Sequence, residues 1–228
     1  MQYSVVIPIY NEQDCIRPMH RFIKEVMDGL GEPYEVIFVN DASSDDSLAI
    51  LNKVASQDNK VKIINLEKNS GESVAAGAGF NAACGNIVIS MDGDGQFEPK
   101  DIPRLLDKLS EGYDVVCGWR YNRDDPWLRV FSSKIANIIR RIILREKIHD
   151  VGCCLRVYRR ECLSGIPMEG KLYRFITAFL LKKGCKIAEI KVHHYPRKYG
   201  AANYNIRNRL FSSMPGFFCA MKYKKPVF

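Results

Sequence analysis

Two carboxylates separated by one glycine, Asp92-Gly93-Asp94, directly follow an apolar run, Ile87-Val-Ile-Ser-Met91. Placed about 4 Å apart, two such charges repel by about 4 kcal/mol at an effective dielectric of about 20. A divalent cation turns that repulsion into attraction, and oxygen ligands suit Mg²⁺ or Mn²⁺, which in turn would hold a diphosphate. Gly93 and Gly95 let the backbone approach such a ligand closely. Aspartate–glycine pairs also build ordinary acidic turns, so the tripeptide alone leaves both readings open.

The elements that must carry these residues follow from periodicity. Residues 3–9 (YSVVIPI) form a short apolar, β-branched run that predicts a buried strand. A helix follows, with Ile16, Met19, Ile23, Val26, Met27 and Leu30 on one face and Gly31 and Pro33 ending it. Residues 34–39 predict a second strand, and Ser43 and Asp46 stand at capping-box spacing before a helix carrying Leu48, Leu51 and Val54. Residues 61–66 predict a third strand. Residues 71–84 predict a helix of small residues that packs closely, and 87–91 a fourth strand. Helix 99–109 and strand 115–118 complete the series. Strands alternating with helices at this spacing imply βαβ units and a parallel sheet. Ligands of such sheets bind beyond the carboxyl ends of the strands. Residues 8–12, 40–44 and 92–96 all fall there, so three polar clusters converge on one rim.

The second part of the chain is less regular. Residues 132–148 predict a basic amphipathic helix, residues 171–182 another helix, and residues 186–193 a strand. From Arg197 onward the chain is basic and aromatic, ending in Lys222, Lys224 and Lys225. The 228 residues suffice for one sizeable α/β domain with a small appendage. We divide them into a catalytic domain, 1–198, and a basic, aromatic acceptor and membrane-interface segment, 199–228. A content of 46% hydrophobic and 26% charged residues is globular and excludes disorder. The net charge of +8 suits a phosphate-bearing partner. No recognition motif points to nucleic acid. The eight cysteines show no CxxC pair and read as reduced, mostly buried small hydrophobes of a cytosolic protein. Met1 leads straight into a strand pattern, without a signal peptide. The uncharged stretch 73–91 approaches the length of a span, about 20 residues, but its glycines and asparagines fit a packed helix and core strand.

Three motifs, VVIPIYNE (5–12), VNDASSDDS (39–47) and MDGDGQFEP (91–99), resemble the family 2 inverting glycosyltransferases of GT-A fold. The resemblance covers the first 120 residues. It implies a Rossmann-like, mostly parallel α/β sheet flanked by helices, with a C-terminal amphipathic helical appendage. It further implies that Pro8, Tyr10, Glu12, Asp41, Asp92 and Gly93 line a nucleotide pocket, with Asp41 holding the base or ribose. Asp92, Asp94 and a Mg²⁺ or Mn²⁺ ion would hold the diphosphate, Asp94 and Gln96 serving the metal. The segments GWRYNRDDPW, FSSKIAN, DVGCCLRVYRRE and HHYPRKYG resemble a narrower group, the polyprenyl-phosphate glycosyltransferases related to dolichyl-phosphate mannosyltransferase. In that group Arg120, with Arg129 and Ser133, would bind the lipid phosphate, because an arginine fork bonds two phosphate oxygens at once. Arg197 would serve the diphosphate. The group's closing motif, Arg-x-x-Gly-x-Ser-Lys, is altered here: Arg197 and Gly200 match, but Ala202 and Asn203 replace the Ser and Lys, so a cation is missing. Arg156, between apolar neighbours, reads as a phosphate ligand or a structural ion pair.

The expected reaction moves a sugar from a UDP- or GDP-sugar to polyprenyl phosphate at the inner face of the cell membrane. A lipid phosphate is already an anion and needs no general base. Asp92, Asp94 and Arg120 would carry catalysis through alignment and charge stabilisation. Were the acceptor a hydroxyl, Asp150 would be the base, although a carboxylate bracing the DVGCC loop is the plainer reading. His193 and His194 read as a packed edge pair or donor contacts. The helix 132–148 and segment 204–228 would meet an anionic membrane surface, each basic residue contributing about 1 kcal/mol. The aromatic residues of that segment would otherwise pack on the domain or in a homo-oligomer. The competing readings are a family 2 transferase acting on a saccharide or lipid-linked sugar hydroxyl, and a non-catalytic nucleotide binder.

Overall fold

The computed structural model describes residues 1–121, 148–170, 172–196, 219–220 and 223. Strand β1, Tyr3–Ile9, lies fully or nearly buried and leads into helix α1, Gln13–Gly29. The helix buries Cys15, Ile16, Met19, Ile23 and Met27, spaced one to four residues apart on one face. Gly31, at φ 73°, ends it in a conformation that costs glycine little. Then come β2, Tyr34–Asn40, α2, Ser47–Gln57, β3, Val61–Asn65, α3, Glu72–Ala82, and β4, Ile87–Ser90. A single 3-10 turn, Pro99–Asp101, opens α4, Ile102–Ser110, and β5 spans Val115–Arg120. Beyond the undescribed stretch lie β6, Arg156–Arg159, the short α5, Arg160–Leu163, a 3-10 turn at Leu172–Phe175, α6, Ile176–Lys183, and β7, Ile187–Val192.

The seven strands form one sheet in the order β3-β2-β1-β4-β6-β5-β7. All neighbours pair in parallel except β6, which runs antiparallel to both β4 and β5. One core packs Ile16 and Met19 of α1, Leu51 of α2 and Leu105 of α4 against one face. The second packs Ala75 of α3, Cys162 of α5 and Phe179 of α6 against the other. Helix α3 lies so close to the sheet that a Cβ at Gly79 would collide with Val6, which is why its small residues matter.

The predicted elements of the first half stand within a few residues of their observed limits. The start of α2 differs. Its N-cap is Asp46, and no side chain caps it. Ser43 instead accepts the Asn11 N–H at 3.0 Å. The helix 132–148 lies almost wholly outside the described residues, as does most of segment 199–228. Where that segment is described it packs on the domain: Ala220 is buried, and Lys182 donates to the carbonyls of Ala220 and Tyr223. All eight cysteines are free thiols; four are buried and two, Cys84 and Cys219, are exposed.

Candidate active site at the sheet rim

The loops after β1 and β2 are stitched into one surface. Asn11 N–H donates to Ser43, Glu12 N–H to Ser47, and Gln13 N–H to Asp45, while Ser44 N–H donates to Asn11 Oδ1 at 2.8 Å. Asn11 and Ala42 both take positive φ, 55° and 53°. Such strain in non-glycine residues persists only where surrounding contacts hold it, and it concentrates at functional sites. Tyr10 is exposed on this surface, and Glu12 is buried beneath it. Asp41 is buried, and its two oxygens accept the N–H groups of Ser70 and Gly71 at 2.7 and 2.8 Å. It therefore ties β2 to the loop that starts α3.

The Asp92-Gly93-Asp94 turn sits beside this surface. Gly93 leaves no room for a side chain, since a Cβ would stand 2.5 Å from Ile9 Cδ1 and 2.7 Å from Pro8 O. Burial pushes the Asp92 carboxyl well above its ordinary range, and the carboxylates of Glu72 and Asp94 push the same way. The Cys154 thiol and the Arg120 guanidinium oppose them. Glu72, Asp92 and Cys154 bring ligand atoms within 4.8 Å of one another. This crowding of partly desolvated negative charge fits a divalent cation, and the oxygens of Asp92 and Asp94 suit Mg²⁺ or Mn²⁺. Asp94 Oδ1 accepts the Gln96 N–H at 3.1 Å, and the Gln96 side chain donates to Tyr195 O at 3.0 Å. With Phe97 bridging His194, the turn is pinned to the end of β7.

Arg120, at the end of β5, is held by Asp150 through three hydrogen bonds, from the backbone N–H to Oδ2 at 3.3 Å, from Nε to Oδ2 at 2.7 Å and from Nη2 to Oδ1 at 2.9 Å. Burial works against the charge of this guanidinium, and Asp150 outweighs burial. Asp150 also accepts the Gly152 N–H, so it braces the DVGCC loop as the sequence suggests. Arg156 does not form the expected structural ion pair among the described residues. It is buried, donates to Val151 O at 2.7 Å, and lies 5.3 Å from the Tyr173 ring centroid, with no carboxylate paired to it among the described residues. His193 binds Asp101 through its backbone N–H and ring, and His194 packs on Phe97, as a packed pair would.

The rim thus gathers Pro8, Tyr10, Glu12, Asp41, Asp92, Gly93, Asp94, Gln96 and Arg120. Arg129, Ser133, Arg197 and Asn203 lie outside the described residues. Sequence reasoning did not single out Glu72 or Cys154. Glu72 carried a readable signal, an acidic residue directly after the glycine opening α3; Cys154 carried none.

A parallel-sheet fold with one reversed strand and a two-aspartate turn at its rim defines a GT-A protein. The chain belongs to glycosyl transferase family 2, whose pattern matches residues 4–166. Among curated proteins it is 32% identical over 231 residues to a dodecaprenyl-phosphate galacturonate synthase of Rhizobium johnstonii, covering 98% of this chain and 68% of that protein. It is 36% identical to an undecaprenyl-phosphate 4-deoxy-4-formamido-L-arabinose transferase of an Enterobacter species, covering 89% of this chain and 62% of that protein. These curated homologues are polyprenyl-phosphate glycosyltransferases. Among solved structures, glucosyl-3-phosphoglycerate synthase from Mycobacterium tuberculosis, in complex with Mn²⁺, UDP and phosphoglyceric acid, superposes with TM-score 0.72. That likeness covers 99% of this chain and 80% of the other at 19% identity, and it bears on the fold alone. No helix among the described residues is long and apolar enough to cross a membrane.

Proposed function

We propose that this chain transfers a sugar, with inversion, from a UDP- or GDP-sugar to a polyprenyl phosphate at the inner face of the cell membrane. The observation that carries the reading is the Arg120–Asp150 pair beside the Asp92-Gly93-Asp94 turn. Asp150 is the carboxylate that would have to take a proton from a hydroxyl acceptor, and both of its oxygens are engaged by Arg120. A phosphate acceptor requires no such proton transfer. Its anionic oxygens instead require a fixed cation, which Arg120 supplies, with Arg129 as a second charge and the Ser133 hydroxyl as a neutral donor. The names of the two curated relatives agree with a polyprenyl-phosphate acceptor.

Pro8, Tyr10, Glu12 and Asp41 take the nucleotide, Asp41 acting partly through the Ser70–Gly71 backbone that it holds. Asp92, Asp94 and Gln96 face the diphosphate and its Mg²⁺ or Mn²⁺, with Arg197 as a further cation. The metal, when bound, supplies charge stabilisation for the leaving diphosphate. Alignment of the phosphate oxygen with the anomeric carbon contributes the rest. A basic chain of net charge +8 suits an anionic bilayer surface.

Radiolabelled UDP- and GDP-sugars incubated with polyprenyl phosphate vesicles test the reading. An acid-labile labelled lipid is the expected product, and label found only on a sugar hydroxyl would sink the proposal. Asp94→Ala should lower transfer by about a hundredfold or more and remove the Mn²⁺-dependent gain in Tm given by UDP. Full turnover in that variant would overturn the metal assignment, and nucleotide affinity with no transfer to any acceptor would leave a non-catalytic binder.

A further inference from the structure

Glu189, in the middle of β7, is an acidic residue on an edge strand that neither the nucleotide nor the metal reading uses. Its carboxylate accepts the His149 N–H at 2.9 Å through Oε1 and 2.7 Å through Oε2, and the Asp150 N–H at 3.1 Å. Its Oε2 also lies 2.9 Å from His149 Nδ1. Two successive backbone donors and a ring nitrogen thus converge on one largely buried carboxylate, 10% exposed. His149 in turn stacks on Trp119, 4.5 Å between centroids at 15°.

These contacts close a ring. β5 and β7 pair in parallel, with Cys117 opposite Glu189 and Arg120 opposite Val192. Glu189 holds the backbone at 149–150 to that ladder. The Asp150 carboxylate then reaches back to Arg120 through Nε and Nη2. Arg120 has a long, rotatable stem and would otherwise sample several rotamers. In the closed ring both ends of its tether are fixed, by the strand below and by the carboxylate above. Arg156 adds a second clamp on the same loop at Val151 O.

We infer that Glu189 is a positioning residue for the acceptor phosphate: it fixes the 149–150 backbone, which fixes Asp150, which orients the Arg120 fork. The inference rests on the reading of Arg120 as the acceptor-phosphate contact. Its test pairs a ligand-free measurement with a kinetic one. The Arg120 Nε–H resonance, assigned by its loss in Arg120→Lys, is followed in Glu189→Ala and in the milder Glu189→Gln. The KM values for polyprenyl phosphate and for the nucleotide-sugar are then measured in each.

The expected result is a displaced or broadened Arg120 signal in Glu189→Ala, an acceptor KM raised about tenfold, and a donor KM within about twofold of wild type. Glu189→Gln, which keeps one carbonyl acceptor, should fall between. Asp150→Asn should act in the same direction, and the double variant should be no worse than the more severe single, because both act through one guanidinium. An unmoved Arg120 signal in a natively folded Glu189 variant overturns the inference, as does a parallel rise of donor and acceptor KM. If wild type transfers to no polyprenyl phosphate, the acceptor reading fails, whereas the Arg120 signal still decides whether Glu189 holds the guanidinium.

Discussion

Gly93 and Asp41 show how little freedom the rim leaves at single residues. The Gly93 backbone passes against Ile9 and Pro8 O with no space for a methyl group. Gly93→Ala should therefore destabilise the protein by about 1–3 kcal/mol, because the collision is partly with backbone and cannot be relieved by one side-chain rotation. Urea denaturation checks the cost, and an unchanged midpoint would mean that the turn yields easily. Asp41 teaches a related point. It resembles a ligand contact in sequence, yet in the folded chain its two oxygens hold Ser70 and Gly71, so it shapes the mouth of α3 before any ligand arrives. Asp92 is the converse case, a carboxyl whose burial and acidic neighbours make its charge costly until a cation is near.

At the scale of elements, the end of the sheet opposite the rim is held by a buried charge. Glu35 on β2 accepts Ser4 Oγ–H at 2.6 Å and Cys84 N–H at 2.8 Å, and pairs with Lys62 of β3 at 2.7 Å. Burial pushes its carboxyl up, but Lys62, Ser4 and the Cys84 N–H outweigh burial and hold it below the usual range. With a depressed native pKa, the unfolded chain binds the proton more readily, so this stability is present above the ordinary value of about 4.3 and is lost as pH falls through the native value. Lys62→Ala should cost about 1 kcal/mol at neutral pH and shrink the loss of Tm between about pH 5 and about pH 3. Thermal melts across that range check both, and an unaltered acid slope would show that Ser4 and Cys84 suffice. The β1–β4 and α1–α4 elements were legible because apolar runs and helical spacings alternate regularly along the first half of the chain, with Gly31 and Pro33 closing α1. Strand β6 was not read as a strand: it is four residues long, Arg156-Val-Tyr-Arg159, and two of the four are arginines. The ties of Asp101 to His193 and of Glu189 to His149 join residues far apart in the chain, which no local spacing reveals. Asp92, Asp94 and Arg120 drew notice in the sequence because they stand at or just beyond strand-like runs, while the roles expected of them came from the family resemblance.

Across the described residues, two cores sandwich one sheet, and the rim loops after β1, β2 and β4 hang from strands packed on both faces. Ligand effects should consequently stay at one end. Mn²⁺ with UDP should slow hydrogen exchange at residues 10–12, 41–44 and 92–96, and leave the strand starts near Tyr3, Tyr34 and Ile87 unchanged. Protection spread evenly over both ends would contradict a site confined to the rim. The reversed direction of β6 has a further consequence. Because β5 and β6 are antiparallel neighbours, the chain leaves the sheet at Arg120 and rejoins it at Arg156 on the same side. Both sockets of the intervening segment thus open on the ligand side. Length can be added or removed between such sockets without reversing a strand. That insertion point is not insulated from the rest of the rim, because Cys154, just before the second socket, stands beside Glu72 and Asp92.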